Sequence, residues 1–370
     1  MKKHLLRLAF INGLLFLSIC IFAQEYSDFY FTRVNGENGL SESNVKAILQ
    51  DSYGFMWFGT KNGLNRYDGT SILQFDCDDL EEGTGNHNIG ALFEDKERNL
   101  WVGTDRGVYS ANPAVDVFKR FKIASSEGIT LDNWVAEILS DSLDNIWVLI
   151  PDQGLFRYKD GKVHHYSLID KDNLKNNNPE CICINEQGEV WVGTSGIGLF
   201  KYNYRDDNFE QYLTDRMGRS LIDKTIISIC FQKENAILGI HEGDLLKYNT
   251  RTDELSEVSF LGEKKTFLRD VMCFGDEIWV GSLHGIFIIN EKENNVIHLK
   301  EDLMRSFSLS DNSIYSIYKD YEGGIWIGTM FGGVNYLPNR ILTFAKYVPG
   351  SDPYSLNTKR IRGLAEDNNG

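Results

Sequence analysis

The sequence predicts an all-β protein: a seven-bladed β-propeller of four-stranded antiparallel blades, followed by the start of a further repeat. Three observations predict it. A phrase built around tryptophan recurs along the chain, as DSYGFMWFGT at residues 51–60 and DYEGGIWIGT at residues 320–329, with NLWVGT, NIWVLI, EVWVGT and EIWVGS between them. Its anchors are Trp57, Trp101, Trp147, Trp191, Trp279 and Trp326, with Ile237 in a degraded copy, at intervals of 44, 46, 44, 46, 42 and 47 residues. Periods of about 40 to 50 residues with aromatic and glycine punctuation mark propellers and related arrays. Finally, the runs between turns are short, rich in Val, Ile, Phe, Tyr and Trp, and broken by glycine, which disfavours helical repeats.

The first element is a leader. Lys2, Lys3 and Arg7 precede an apolar run from Leu8 to Phe22, and Ala23 stands before Gln24. This is the layout of a secretory signal peptide over residues 1–23, cleaved after Ala23, although Ile21 is bulky for the minus-three position. The apolar run is shorter than the ~20 residues of a spanning helix, and Ile19 occupies the place where a lipoprotein signal through Cys20 needs a small residue. Cleavage removes three basic residues and takes the formal charge from -15 to -18. So acidic a chain repels phosphate backbones, which argues against nucleic acid as a partner. A periplasmic location is expected.

Residues 24–348 hold the propeller. In the first unit SNVKAILQD reads as a strand, DSYG as a turn, FMWFGT as a second strand, KNG as a turn, LNRYDG as a third strand and SILQFD as a fourth. Four short strands joined by Asp, Asn and Gly turns make one blade. In W-x-G-T the tryptophan and glycine share a face, so the glycine leaves room beside a ring packed between blades. Losing such a ring costs ~3 to 5 kcal/mol, and six copies make better sense as core than as catalysts. Of the cysteines past the leader, Cys77, Cys181, Cys183, Cys230 and Cys273, none has the C-x-x-C spacing of a zinc site. Cys181, Cys230 and Cys273 lie in apolar strand-like runs and read as buried thiols. A disulfide is allowed in this compartment, but nothing in the sequence selects a pair.

The full pattern G-L-S-x-x-x-V-x-x-I-x-x-D-x-x-G-x-x-W-x-G-T-x-x-G-L-x-x-Y-D-G, complete from Gly39 to Gly69, resembles the two-component regulator propeller repeat. The resemblance covers roughly residues 26 to 370. It implies the periplasmic sensor region of a Bacteroidetes hybrid two-component histidine kinase, with two propellers, a small β-sandwich, a membrane helix, and kinase and receiver domains. Residues 349–370, ending SLNTKRIRGLAEDNNG, match the opening of a next repeat. The expectation is therefore an N-terminal fragment of a parent anchored in the inner membrane. EYSDFYFTRVNGENGLS resembles ILTFAKYVPGSDPYSLN, so residues 28–34 are expected to supply an outer strand that closes the ring on the last blade.

Function is expected on the face where the loops between second and third strands, and those leading into each first strand, surround the channel. The position before each first strand reads Asn44, Asn88, Trp134, Asn178, Thr225, Phe267 and Ser313. Trp134 stands outside the repeated phrase. With Asp132 and Asn133 beside it, it reads either as a flat sugar platform or as a ring packed under its loop. The other candidates on this face are Lys61 and Asn62, Asp105 and Arg106, Asp152 and Gln153, His241 and Glu242, His284, and Phe331. His241 and His284 lack a local third ligand, so no metal site is assigned, nor any cofactor. His164 and His165 fall in a predicted outer strand, at the surface.

Three function classes compete. The first is a sensing module for oligosaccharides that signals to a kinase, with a second propeller, the membrane and kinase domains, and a homodimer mate as partners. The second is a secreted polysaccharide lyase or hydrolase, for which no H-E-x-x-H, no G-x-S-x-G and no identifiable carboxylate pair supply catalytic groups. The third is a structural or dimerisation propeller without a ligand site of its own.

Overall fold

The computed structural model describes residues 29–75, 87–112, 118–121, 128, 130–168, 179–212, 214–260, 266–305 and 307–339. The leader, Cys77, Asn178 and the residues after 339 lie outside these. Among the described residues there is no α-helix, and a single 3-10 turn spans Gly36–Asn38. The strands form five antiparallel sheets of four and one of eight. The eight-stranded sheet consists of two four-stranded units joined where Ser195 and Ile197 pair with Thr225 and Ile222.

The units are numbered here by their position in the sequence. Unit 1 follows the expected order: an inner strand Val45–Gln50, a second strand Met56–Thr60, a third Gly63–Tyr67 and an outer Ile72–Phe75. The later inner strands are Ile89–Glu94, Glu137–Ser140, Pro179–Ile184, Ile222–Gln232, Leu268–Phe274 and Ile314–Lys319. Each packs on the next, and Ile314–Lys319 packs back on Val45–Gln50, so the inner strands run in a closed circle. The outermost strand of the last unit is Thr32–Val34, paired antiparallel with Val334–Leu337. The closing strand read from residues 28–34 is thus present at Thr32–Val34, and from it the chain runs on into the first unit, which ties the last unit to the first.

The repeated residues hold neighbouring units together. Trp57 sits among Ile89, Leu100 and Val102 of unit 2, and Trp326 among Val45, Ile48 and Phe58 of unit 1. Each of these rings therefore has a side on its own sheet and a side on the next. The glycine two residues on makes room for the next unit's inner strand. A Cβ at Gly59 would lie 2.6 Å from Ile89, one at Gly103 2.6 Å from Val135, and one at Gly281 2.8 Å from Ile314.

The aspartate of the D-x-x-G turn has a second role. Asp51 accepts the Tyr53 and Phe55 backbone N–H groups with Oδ1 and the Trp57 indole N–H with Oδ2, at 2.7 Å. Asp95, Asp141 and Asp320 take the indoles of Trp101, Trp147 and Trp326 in the same way. The closing Thr of W-x-G-T also works locally: Thr60 Oγ1 donates to the Gly63 carbonyl and accepts from the Asn62 N–H.

The structure overturns one reading of the cysteines. Cys230 and Cys273 are not free thiols but a disulfide that joins the inner strands of units 5 and 6, with Cα atoms 5.7 Å apart. Cys230 occupies the register opposite Ile237, the degraded tryptophan position, and Cys273 pairs with Ile278 one register further on. Residues at these two registers face opposite neighbours, so the two side chains meet between the sheets. Cys181 and Cys183 remain free, and burial raises both thiols, Cys183 to about 12.

Candidate functional site at the channel mouth

The inner strands build the site through a recurring irregularity. Their pairing skips one residue between Val45 and Ala47, Ile89 and Ala91, Pro179 and Cys181, Ile226 and Ser228, Leu268 and Asp270, and Ile314 and Ser316. A bulge of this kind re-aims the unpaired residue. The skipped residues are Lys46, Gly90, Glu180, Ile227, Arg269 and Tyr315, with Ala136 at the same position in unit 3.

Their contacts locate the mouth of the channel. Lys46 Nζ lies 4.6 Å from the centre of the Trp134 ring and 5.9 Å from that of Tyr315, and the Arg269 guanidinium is 5.8 Å from Tyr315. Side chains of units 1, 3, 6 and 7 therefore converge. To reach Lys46, the Trp134 indole passes over unit 2, where a Cβ on Gly90 would stand 2.6 and 2.7 Å from its ring carbons. Gly90 is the one glycine at the bulge position, and it lies where the ring needs the space. Trp134 is half-buried. The ring packs on the Gly90 backbone, and the Lys46 ammonium lies over it.

The mouth is electrically divided. Burial, then the charges of Lys61 and Arg269, hold the Lys46 ammonium below its ordinary pKa, with Asp105 acting against them. In unit 4 burial raises the Glu180 carboxyl, and the charge of Asp152 raises it further. A cationic sector from units 1 and 6 is thus accompanied by an acidic one from units 3 and 4.

One register further along, Glu137 and Asp270 replace the small residues Ala47, Ala91 and Ser316. Glu137 accepts the Ile182 N–H at 2.7 Å, and Asp270 accepts the Ile317 N–H at 2.8 Å and the Ser228 hydroxyl at 3.0 Å. Each carboxylate supplies an acceptor to a backbone N–H just past the bulge of the following unit. Burial raises both carboxyls, Glu137 to about 8, and the charge of Asp270 adds to the effect on Glu137.

The sequence-derived candidates divide into groups. Trp134, Lys61 and Asp105 act together around Lys46. Asp132 pairs with Arg120 at 3.0 Å, and the same guanidinium holds the Arg106 carbonyl at 3.0 Å, so these two loops are clipped to each other. Asp152 joins Glu180. Asn62 and Asn133 are exposed near these groups. His284 bonds Thr266 through Nδ1 at 2.6 Å, and Phe331 is exposed with its N–H on Asp311. His241 lies against Phe267 with the rings tilted by 34°, and Phe267 is half-exposed at the Trp134 register. Of the predicted surface histidines, His164 is exposed, but His165 packs on Phe156 and contacts the Gln153 carbonyl at 2.6 Å. Among the described residues no three His, Cys, Asp or Glu side chains are placed to hold a metal ion.

Lys46, Arg269, Tyr315 and Glu180 were not singled out from the sequence. The signal was present: aligning the residue after the first apolar position of each inner strand reads Lys46, Gly90, Ala136, Glu180, Ile227, Arg269 and Tyr315. In an ideal strand this residue would face a neighbouring blade, and only the bulge turns it to the channel.

The chain matches the family described as two component regulator propeller at residues 39–62, 83–106 and 308–331. It is similar to Histidine kinase P4 of Formosa agariphila, 26% identical over 158 residues, which are 41% of this chain and 12% of that protein. Among solved structures, the extracellular domain of the putative hybrid two component system BT3049 from B. thetaiotaomicron superposes with a TM-score of 0.72 at 24% identity, over 92% of this chain and 46% of that one. That of BT4673 from the same organism gives 0.70 at 23%, over 84% and 40%. PorZ, a surface component of the type-IX secretion system of Porphyromonas gingivalis, gives 0.62 at 17%, over 83% and 47%. The chain thus spans about an eighth of the kinase and less than half of these structures. Three of the repeats thus match the two component regulator propeller family, and the chain has the fold of the superposed extracellular domains.

Proposed function

We propose that this chain is the ligand-sensing propeller of a hybrid two-component histidine kinase, situated outside the cytoplasm, which responds to oligosaccharides and passes a signal across the membrane to the kinase. The observation that carries this reading is the regulator propeller repeat on a fold similar to extracellular domains of such systems. The channel mouth supports it: a half-buried indole beside charged and hydroxyl-bearing groups suits a sugar ring, which offers apolar C–H faces and polar edges. A second propeller and a homodimer mate are the proposed structural partners.

The test is calorimetry of the chain against an oligosaccharide panel. Trp134→Ala is expected to weaken the binding found by ~2 kcal/mol, about thirtyfold, as for an aromatic anchor. An unchanged affinity, with the variant folded, refutes the placement of the site at Trp134. The enzyme reading draws no support from Glu137 and Asp270, since both are bonded to the backbone of the next unit.

A further inference from the structure

We infer that the channel mouth selects anionic glycans, with a carboxylate or sulfate group of the sugar seated between Lys46 and Arg269 and a sugar ring against Trp134 and Tyr315. This rests on the oligosaccharide reading above and narrows it to a substrate class.

The argument begins with charge. The chain carries a formal charge of -15, yet the groups meeting at the mouth include three cations, Lys46, Lys61 and Arg269. Among the described residues none of the three has a carboxylate within ion-pair distance. Elsewhere the cations of this protein are commonly paired: Arg157 with Asp207, Lys201 with Glu189, Lys224 with Asp244, Lys247 with Glu291. Lys46 is partly buried while Lys61 and Arg269 are exposed beside it; holding a partly desolvated ammonium near two like charges costs free energy, which an anion bound there would return. Burial depresses the Lys46 ammonium first, the charges of Lys61 and Arg269 depress it further, and Asp105 acts against them.

The geometry supplies what a charged sugar needs. Lys46 comes from the first unit and Arg269 from the sixth, and the Tyr315 ring of the seventh lies within 5.9 Å of both, so one aromatic ring stands beside both cations. A planar guanidinium grips a carboxylate or sulfate edge by two parallel hydrogen bonds, and an ammonium acts as a point charge beside it. Trp134, held over Gly90, supplies the second ring. The acidic sector at Glu180 and Asp152 serves the other end of the ligand: carboxylates accept hydrogen bonds from sugar hydroxyls, and they repel a second anion placed there. An oligosaccharide with its charged residue on the cationic side is therefore bound in one orientation.

The experiment is titration calorimetry of the chain at low and high salt with three probes: an oligogalacturonate, a sulfated glycosaminoglycan tetrasaccharide, and neutral gluco- and xylo-oligosaccharides. The expected result is binding of at least one anionic probe at least tenfold tighter than any neutral one, weakened by added salt. Binding of the oligogalacturonate shows that a carboxylate suffices, whereas binding of the glycosaminoglycan that is lost on its desulfation shows that the sulfate is the group recognised. Arg269→Ala and Lys46→Gln should each weaken that binding at least tenfold, and Lys46→Arg should retain most of it. Arg269 is exposed, so its variant tests the site even where a Lys46 change disturbs folding. Neutral sugars binding as well as anionic ones, with dependence on Trp134 but not on Lys46 or Arg269, overturn this inference and leave the sensing proposal standing. Anionic binding indifferent to Lys46 and Arg269 overturns the site, and no binding of any saccharide overturns both.

Discussion

Asp51 gives the sharpest test of how the repeat holds itself together. Its side chain is buried and makes three hydrogen bonds, to the N–H groups of Tyr53 and Phe55 and to the Trp57 indole. Asp51→Ala strands at least two inward-facing donors, the Phe55 N–H and the indole, and each buried unpaired donor costs about 1 to 3 kcal/mol. The expected loss is about 3 to 5 kcal/mol. Asp51→Asn keeps the acceptor for the turn but sets an amide NH2 against the indole N–H, so it should cost only about 1 to 3 kcal/mol. Unit 4 shows the same exchange made naturally: Asn185 still accepts the Gln187 and Glu189 N–H groups, but its NH2 donates to Glu189 at 2.8 Å rather than meeting Trp191. The assay is urea denaturation followed by tryptophan fluorescence, in a double-mutant cycle with Trp57→Phe, which removes the indole N–H. Against the Trp57→Phe variant as reference, Asp51→Asn should cost less than about 0.5 kcal/mol. Equal costs in both backgrounds would falsify the assignment of the indole bond.

Further predictions concern pH and redox state. Because the Glu137 carboxyl is raised to about 8 in the folded protein, the folded state holds a proton that the unfolded chain has released above the ordinary glutamate range. Stability should therefore fall as pH rises from about 4.5 toward 8, by at most about 5 kcal/mol and by less where channel water reaches the carboxyl. Asp270, also raised, acts with the same sign. Glu137→Gln should flatten this slope, and denaturation midpoints at pH 5 and pH 8.5 that move equally in both proteins refute the assignment. Asp141 and Asp215 act oppositely: burial raises them, but hydrogen bonds prevail and hold both below the usual range, so their contributions are lost only as pH falls below it. The Cys230–Cys273 bridge closes a loop of 43 residues, worth about 4 kcal/mol in the chain-entropy account. Reductant should lower the urea midpoint of the unmodified chain and leave a Cys230→Ser, Cys273→Ser double variant unmoved. A midpoint of the unmodified chain that ignores reductant excludes the bridge.

Much of the fold was legible because the repeat is local. Trp57 and Gly59 lie two residues apart on one strand, and the turns on either side carry Asp, Asn and Gly, so strand order within a unit followed from spacing. The closing strand was legible too, because Thr32–Val34 precedes a copy of the phrase that opens each unit. Harder to read was whatever depends on the neighbouring unit. The Asp51 side chain reads as a turn residue, and its bond to Trp57 requires the hairpin to fold over six residues. Cys230 and Cys273 read as two apolar thiols, and they bond only because registers one apart face each other across the gap between units 5 and 6.

The channel mouth shows the same division. Trp134 stood out as the tryptophan that breaks the phrase, and the spacing placed it just ahead of the inner strand of unit 3. The residues it meets were not found. Lys46, Arg269 and Tyr315 sit inside predicted strands, where alternation assigns them to a sheet face, and the bulge in each inner strand moves them to the channel instead. Sequence periodicity by itself determined the number of phrases, the strands within each and the tryptophan core, because those follow from contacts a few residues apart. Tertiary structure alone decided that Lys46 and Tyr315 should meet, 269 positions apart. Only closure of the ring sets the first unit beside the last, and only the bulges point both residues into the space it encloses.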